Sequence, residues 1–161
     1  MNLKISNRIK KIIELCEPCD TIVDVGTDHG KVAISIANMN ISRKVVAIDN
    51  KPGPLNSCEN NAKIYLNNNA SKFETLLSNG IDDVDKNAET GIIITGIGYD
   101  NIKQVLTNIN EYNFKYLILS PHTKINELIV YLDSINIKID EQENVFEDDK
   151  YYYIIKAKRM V

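Results

Sequence analysis

No stretch of this 161-residue chain approaches the roughly 20 consecutive apolar residues that span a bilayer. The start, Met1-Asn2-Leu3-Lys4, runs into a charged amphipathic segment and lacks the apolar core of a signal peptide. A cytoplasmic location is the expectation. Positive charge is not in excess either. Lys and Arg number 19 against 22 Asp and Glu, a formal net charge of −3. This argues against a broadly basic nucleic-acid binder and confines any such contact to a local patch. Metal ligands are scarce, with three cysteines and two histidines. Cys16-Glu17-Pro18-Cys19 is a C-x-x-C, but it falls where a helix should end, not at a helix N-terminus where the dipole lowers a thiol pKa. A structural zinc site needs four ligands, and only Cys58, His29 and His122 could add to that pair. Buried or incidental thiols, and no metal, are expected.

What is present is ordinary for a globular protein: 43% hydrophobic and 25% charged residues. The length suits one domain, residues 1–161, with one substantial core. Strand and helix patterns alternate. Apolar periodicity predicts helix 4–16, strand 21–25, helix 29–38, strand 44–49 and helix 53–66. Residues 67–90 are rich in Asn and acids, with Phe73-Glu74-Thr75-Leu76 as a short strand candidate. Gly91-Ile92-Ile93-Ile94-Thr95 and Tyr116-Leu117-Ile118-Leu119 are continuous apolar runs, as buried parallel strands should be. Ile102, Val105, Leu106 and Ile109 mark a helix between them, and Ile125, Leu128, Ile129, Leu132 and Ile135 mark another. The end departs from this rhythm. Lys138 to Phe146 and Tyr151 to Lys158 read as strands, joined by Glu147-Asp148-Asp149-Lys150 with no room for a helix. They should pair as an antiparallel hairpin. The expected fold class is α/β: a doubly wound, mostly parallel, seven-stranded Rossmann-like sheet of the class I methyltransferase kind, finished by that hairpin.

Chemistry concentrates in Asp24-Val25-Gly26-Thr27-Asp28-His29-Gly30, between the first strand and the second helix. Glycines there let a ligand approach the backbone, and the helix N-terminus offers free N–H groups. Asp24 at the strand end would repel a pyrophosphate. It would attract the ammonium and sulfonium of S-adenosylmethionine. Asp49, nineteen positions after Gly30 and at the tip of the next strand, is placed to accept both hydroxyls of a ribose. The plainer alternatives are an ordinary strand-to-helix turn and a helix cap. On the first helix, Lys4, Arg8 and Lys11 form a basic row opposite an apolar stripe of Ile5, Ile9, Ile12, Ile13 and Cys16. That row is either a nucleic-acid contact or a solvated face.

The stretch from Asp24 to Gly30, with Ala47-Ile48-Asp49-Asn50-Lys51-Pro52-Gly53-Pro54-Leu55, resembles the bacterial TrmK family of tRNA adenine-N1-methyltransferases acting on position 22. Ser78-Asn79-Gly80, Thr95-Gly96-Ile97-Gly98, Leu117-Ile118-Leu119-Ser120-Pro121 and Asp149-Lys150-Tyr151-Tyr152-Tyr153-Ile154-Ile155 add to the resemblance, which spans nearly the whole chain. It implies S-adenosyl-L-methionine as cofactor, held by Asp24, Gly26, Thr27, His29, Asp49, Asn50, Asn79, Gly80 and Gly96. It implies tRNA as the partner. Three departures stand out. Tyr99 replaces a glycine in the loop after the fourth strand, His122 replaces an amide after Pro121, and the family's C-terminal helical hairpin would lie beyond Val161.

Methylating adenine N1 needs alignment more than proton transfer, because the ring nitrogen carries a free lone pair at pH 7. Positive charge develops on the base, and a carboxylate nearby would stabilise it. Asp28, at the carboxyl edge of the sheet, is the candidate catalytic residue, with a helix N-cap as the alternative. Arg8, Lys11, Tyr99, Pro121 and His122 are the candidate substrate contacts, Tyr99 and His122 by stacking on the base. Other readings left open are a cofactor-binding module without catalysis and a methyltransferase of small molecules.

Overall fold

A computed structural model describes residues 3–160. Seven strands form one sheet in the order β3-β2-β1-β4-β5-β7-β6. They are β1 (Cys19–Val25), β2 (Ser42–Asp49), β3 (Phe73–Leu77), β4 (Thr90–Ile97), β5 (Phe114–Pro121), β6 (Ile137–Glu147) and β7 (Lys150–Arg159). The first five are parallel, whereas β7 is antiparallel to both β5 and β6. The helices are α1 (Asn7–Leu15), α2 (Lys31–Met39), α3 (Pro52–Tyr65), α4 (Tyr99–Val105) and α5 (Ile125–Ser134). The expected α/β sheet and its terminal hairpin are both there.

The central strands β1, β2, β4 and β5 are buried on both faces, which is why they read as apolar runs. Alternate residues feed two cores. Ile22, Val45, Ala47, Ile93, Tyr116 and Ile118 pack under α1, α2 and Cys58 of α3. Val23, Val46, Ile48, Ile92, Ile94 and Leu117 pack under α4 and α5. Gly91 is needed for the first core. A Cβ there would sit 2.3 Å from Cζ of Tyr116, whose hydroxyl donates to the Glu17 carbonyl at 3.0 Å. The C-x-x-C joins the end of α1 to β1. Burial pushes the Cys16 thiol up to about 12 and raises Cys19 as well, so both are structural thiols.

Element ends moved for identifiable reasons. α1 starts at Asn7, not residue 4, because Ser6 is its N-cap and accepts from the Ile9 N–H at 3.3 Å. α2 starts at Lys31, not residue 29, because Asp28 and Gly30 hold φ of +53° and +79°. α4 ends at Val105, and Ile109 belongs to a separate 3₁₀ turn, Ile109–Glu111. The hairpin closes tighter than expected. Glu147 pairs with Lys150, leaving Asp148 and Asp149, at φ of +53° and +61°, as a two-residue turn.

Chain order reverses between β1 and β4, which are neighbours although β2 and β3 intervene in sequence. Loops leaving the carboxyl ends of these two strands diverge to opposite faces, opening a crevice where ligands bind in such sheets.

Candidate functional site

A cavity of about 930 Å³ occupies that crevice, within the range of pockets that hold cofactors. The loop after β1 lines it with Asp24, Gly26, Thr27, Asp28 and His29. The end of β2 adds Asp49 and Asn50, the turn after β3 adds Asn79 and Gly80, and the loop after β4 adds Gly96. Every residue expected to hold the cofactor is therefore on one wall or another of the same cavity. Gly26, Gly80 and Gly96 adopt φ of +77°, +81° and +75°. At Gly96 a Cβ would meet nothing within 4 Å, so the requirement is the backbone turn itself, not space.

Asp24 is the chemical centre of this wall. It is 2% exposed, and among the described residues its carboxyl has one hydrogen bond, from the Thr27 hydroxyl at 3.0 Å. Burial, opposed by that hydrogen bond and reinforced by the charges of Asp49 and Asp28, pushes its carboxyl up to about 7. A buried acid with a single neutral donor is short of a cation. Asp49 stands less buried at the end of β2, its Oδ1 accepting from the Lys51 N–H at 3.1 Å and its Oδ2 without a hydrogen-bond partner among the described residues.

Asp28 does not cap α2; the N-cap is Gly30, without a side-chain hydrogen bond. Its carboxylate is exposed over the cavity, 3.7 Å from Nε2 of His29. His29 is fixed from the other side by Ser57 Oγ, 2.7 Å from Nδ1, and by Asn61, whose amide donates to the His29 carbonyl at 2.8 Å. Gly30 lets α3 approach: a Cβ there would lie 2.5 Å from the Cys58 sulfur.

The candidate substrate contacts divide. Arg8 lines the cavity. Its guanidinium lies 4.9 Å over the Tyr152 ring and its Nε is 3.9 Å from Glu147, which lines the cavity too. Lys11, Tyr99, Pro121 and His122 are not among the lining residues. Lys11 pairs with Glu14 at 3.1 Å. Tyr99 opens α4 and packs, with Tyr131, against the core beneath α4 and α5, so its ring serves packing. His122 stays on the edge, its N–H donating to the Ile97 carbonyl at 3.0 Å and tying the loops after β5 and β4 together. Sequence reasoning missed Lys31, Asp82, Asn101, Gln104 and Glu147 on the cavity wall. Asn101 and Gln104 share an α4 face at i, i+3 spacing, a signal that was readable; Glu147 is brought in only by the hairpin.

A switch-point cavity ringed by acids at the ends of β1 and β2, in a parallel sheet closed by an antiparallel hairpin, defines the Rossmann-like methyltransferase class. The chain belongs to the methyltransferase domain family, whose model matches residues 5–155. No curated protein sequence matches it. Among solved structures it is similar to Mycoplasma capricolum TrmK in complex with S-adenosyl-homocysteine, at 27% identity and a TM-score of 0.86. That match covers 96% of this chain and 69% of that one. The Bacillus subtilis m1A22 tRNA methyltransferase TrmK matches at 20% identity and a TM-score of 0.88, over 98% of this chain and 68% of that one. Streptococcus pneumoniae Sp1610, solved with S-adenosyl-L-methionine, matches at 22% and 0.89, over 98% and 74%. The last two establish shared fold.

Proposed function

We propose that this protein is an S-adenosylmethionine-dependent methyltransferase acting on N1 of an adenosine in tRNA. The observation that carries the cofactor reading is Asp24, a buried carboxyl at the end of β1 with one neutral hydrogen-bond donor and an open cavity in front of it. An ammonium supplies the missing partner and holds the acid ionised. Asp49 accepts the ribose hydroxyls, and the positive-φ glycines let the ligand lie against backbone. When bound, the cofactor supplies a sulfonium methyl for direct transfer. The similarity to the Mycoplasma capricolum TrmK complex with S-adenosyl-homocysteine, at 27% identity, supports the cofactor, and the likeness to the Bacillus subtilis m1A22 tRNA methyltransferase TrmK supports tRNA as acceptor.

The chain's own residues then have three tasks. Asp24 and Asp49 fix the donor from one side of the switch point. Asp28, exposed at the cavity rim beside His29, offers negative charge to the adenine as it becomes cationic, and no general base is required. Arg8 and Lys31 add positive charge at the rim, while the cytoplasm is where such a substrate is met.

The test is mass spectrometry of nucleosides from unmodified tRNA incubated with the protein and methyl-labelled S-adenosylmethionine. Labelled 1-methyladenosine is expected. Cofactor binding without methyl transfer to tRNA would refute the tRNA assignment, leaving a small-molecule acceptor or a binding module.

A further inference from the structure

The cavity has walls that the cofactor does not use. Asp24 and Asp49 at the ends of β1 and β2, with Asn79 after β3, carry the cofactor from its ammonium outward to the β3 end of the sheet. Ser6, Arg8, Ile9 and Glu147 line the cavity as well, and they come from the start of α1 and the tip of the β6–β7 hairpin. In the strand order β6 and β7 close the end of the sheet opposite β3. These four residues therefore border the space left for the methyl acceptor.

Arg8 and Glu147 meet on this wall without completing each other. Arg8 Nε lies 3.9 Å from Glu147 Oε2, too long for a hydrogen bond. Glu147 Oε1 accepts from the Arg8 backbone N–H at 3.4 Å, in the first turn of α1, which holds the carboxylate at the positive end of that helix. The guanidinium is held separately, stacked 4.9 Å over the Tyr152 ring. Its Nε is buried without a hydrogen bond, and its terminal N–H groups and Glu147 Oε2 have no hydrogen-bond partner among the described residues. A donor and an acceptor, each fixed in place and each short of a partner, stand side by side at the cavity.

We infer that Arg8 and Glu147 read the N7–N6 edge of the adenine that receives the methyl: a guanidinium N–H donates to N7, and Glu147 Oε2 accepts from the N6 amino group. The inference rests on the tRNA reading above and adds how the target base is chosen. Chemistry selects this occupant. The carboxylate repels a phosphate and the guanidinium repels a cation, so the pair suits an uncharged group with an acceptor beside a donor. The N7–N6 edge of adenine is such a group. It is also the edge left over, because N1 must face the sulfonium methyl. Guanine presents two acceptors there, N7 and O6, and its O6 would meet the carboxylate. The same contact serves the reaction. Positive charge arriving at N1 is shared with N6 through the amidine, where an accepting carboxylate stabilises it.

7-Deazaadenosine placed only at the methylated position of an unmodified tRNA keeps N1 and N6 but carries C–H in place of N7. Its kcat/KM should fall about 10-fold or more, as for losing a hydrogen bond from a charged donor. Its more basic N1 would by itself react faster. In Arg8→Ala the ratio between the two tRNAs should approach one, which a purely structural tie between α1 and the hairpin would not produce. With guanosine at that position, tRNA binding in the presence of S-adenosylhomocysteine should weaken about 5- to 150-fold. Glu147→Gln, whose amide can donate to O6, should narrow that gap. Equal kcat/KM for the adenosine and 7-deazaadenosine tRNAs in wild type, or a ratio that persists in Arg8→Ala, overturns the base-reading pair while the tRNA reading stands. Lost affinity for S-adenosylhomocysteine in Arg8→Ala would give the pair to the cofactor and overturn it too. A wild-type protein that methylates no tRNA overturns both.

Discussion

Replacing Asp24 with Asn separates what the acid does for binding from what it does to stability. The carboxyl titrates at about 7 in the fold, against an ordinary 3.8. An acid whose folded pKa is raised binds its proton more tightly when folded. Its contribution is therefore fully present below about pH 4 and is lost as pH rises through 7. The interval is worth about 4 kcal/mol at 1.36 kcal/mol per pH unit. Asn keeps an oxygen for the Thr27 hydroxyl but brings two amide donors, which cost about 1–3 kcal/mol if left unpaired. The net gain at pH 8 is then about 1–3 kcal/mol, or about 2–12 °C in Tm for a domain of this size. At pH 5 the gain should vanish. Binding should go the other way. S-adenosylhomocysteine, which keeps the ammonium and lacks the sulfonium, should bind the variant with a loss of about 1.5–3 kcal/mol, the range for charged hydrogen bonds. Wild-type affinity should fall about tenfold per pH unit below 7 as Asp24 takes up its proton, and the variant's should not. Thermal melts from pH 5 to 8 and calorimetry at the same pH values measure both. A variant no more stable at pH 8 than wild type, with equal cofactor affinity, would refute the account of Asp24.

Asp49→Ala should weaken S-adenosylhomocysteine by about 1.5–3 kcal/mol in calorimetry, since its Oδ2 is the acceptor left for a ribose. Gly91→Ala should cost about 1–3 kcal/mol or more, because its Cβ meets the buried Tyr116 ring at 2.3 Å, whereas Gly53→Ala, open within 4 Å, should stabilise by about 0.5–1 kcal/mol. Urea unfolding of the two variants gives opposite signs. Tyr99→Ala should lower stability by about 1–2 kcal/mol through lost packing and leave KM for tRNA unchanged; a raised KM with unchanged stability would return its ring to the substrate.

The architecture was legible because its signals are local and repeated. Unbroken apolar runs at 91–95 and 116–119 can only be strands covered on both faces, and the lack of room for a helix between residues 146 and 151 dictates an antiparallel return. The cofactor wall was legible for a related reason. Asp24, Gly26 and Asp49 lie at the ends of two strands paired in register, Val25 against Ile48, so sequence spacing translates directly into space. The substrate side has no such rule. Tyr99 and Asn101 are two residues apart on α4, and the helix lays one ring, half-buried, against the core and turns the other side chain into the cavity. Its hydroxyl made Tyr99 look like a ligand contact, but orientation on a seven-residue helix follows from where β4 ends, which the sequence leaves open by a residue or two. Glu147 is harder still, being 139 positions from the Arg8 backbone it accepts from.

Two features of the loop after β1 are not needed by the fold. Another αL-tolerant residue could hold φ of +53° where Asp28 stands, and an apolar side chain at Asp24 would bury at no electrostatic cost. Positive φ at a residue with a Cβ and a buried acid that titrates near neutrality each lower stability, and they sit four positions apart on one cavity wall. The first cost disappears if something cationic occupies the cavity, because it ionises Asp24 favourably, and the same ligand gives the exposed Asp28 carboxylate a partner. A buried acid whose cost a cationic ligand relieves marks a wall shaped by binding. Here the wall presents carboxylates rather than phosphate-binding basic groups, and that choice separates a sulfonium cofactor from a dinucleotide in a sheet that could have held either.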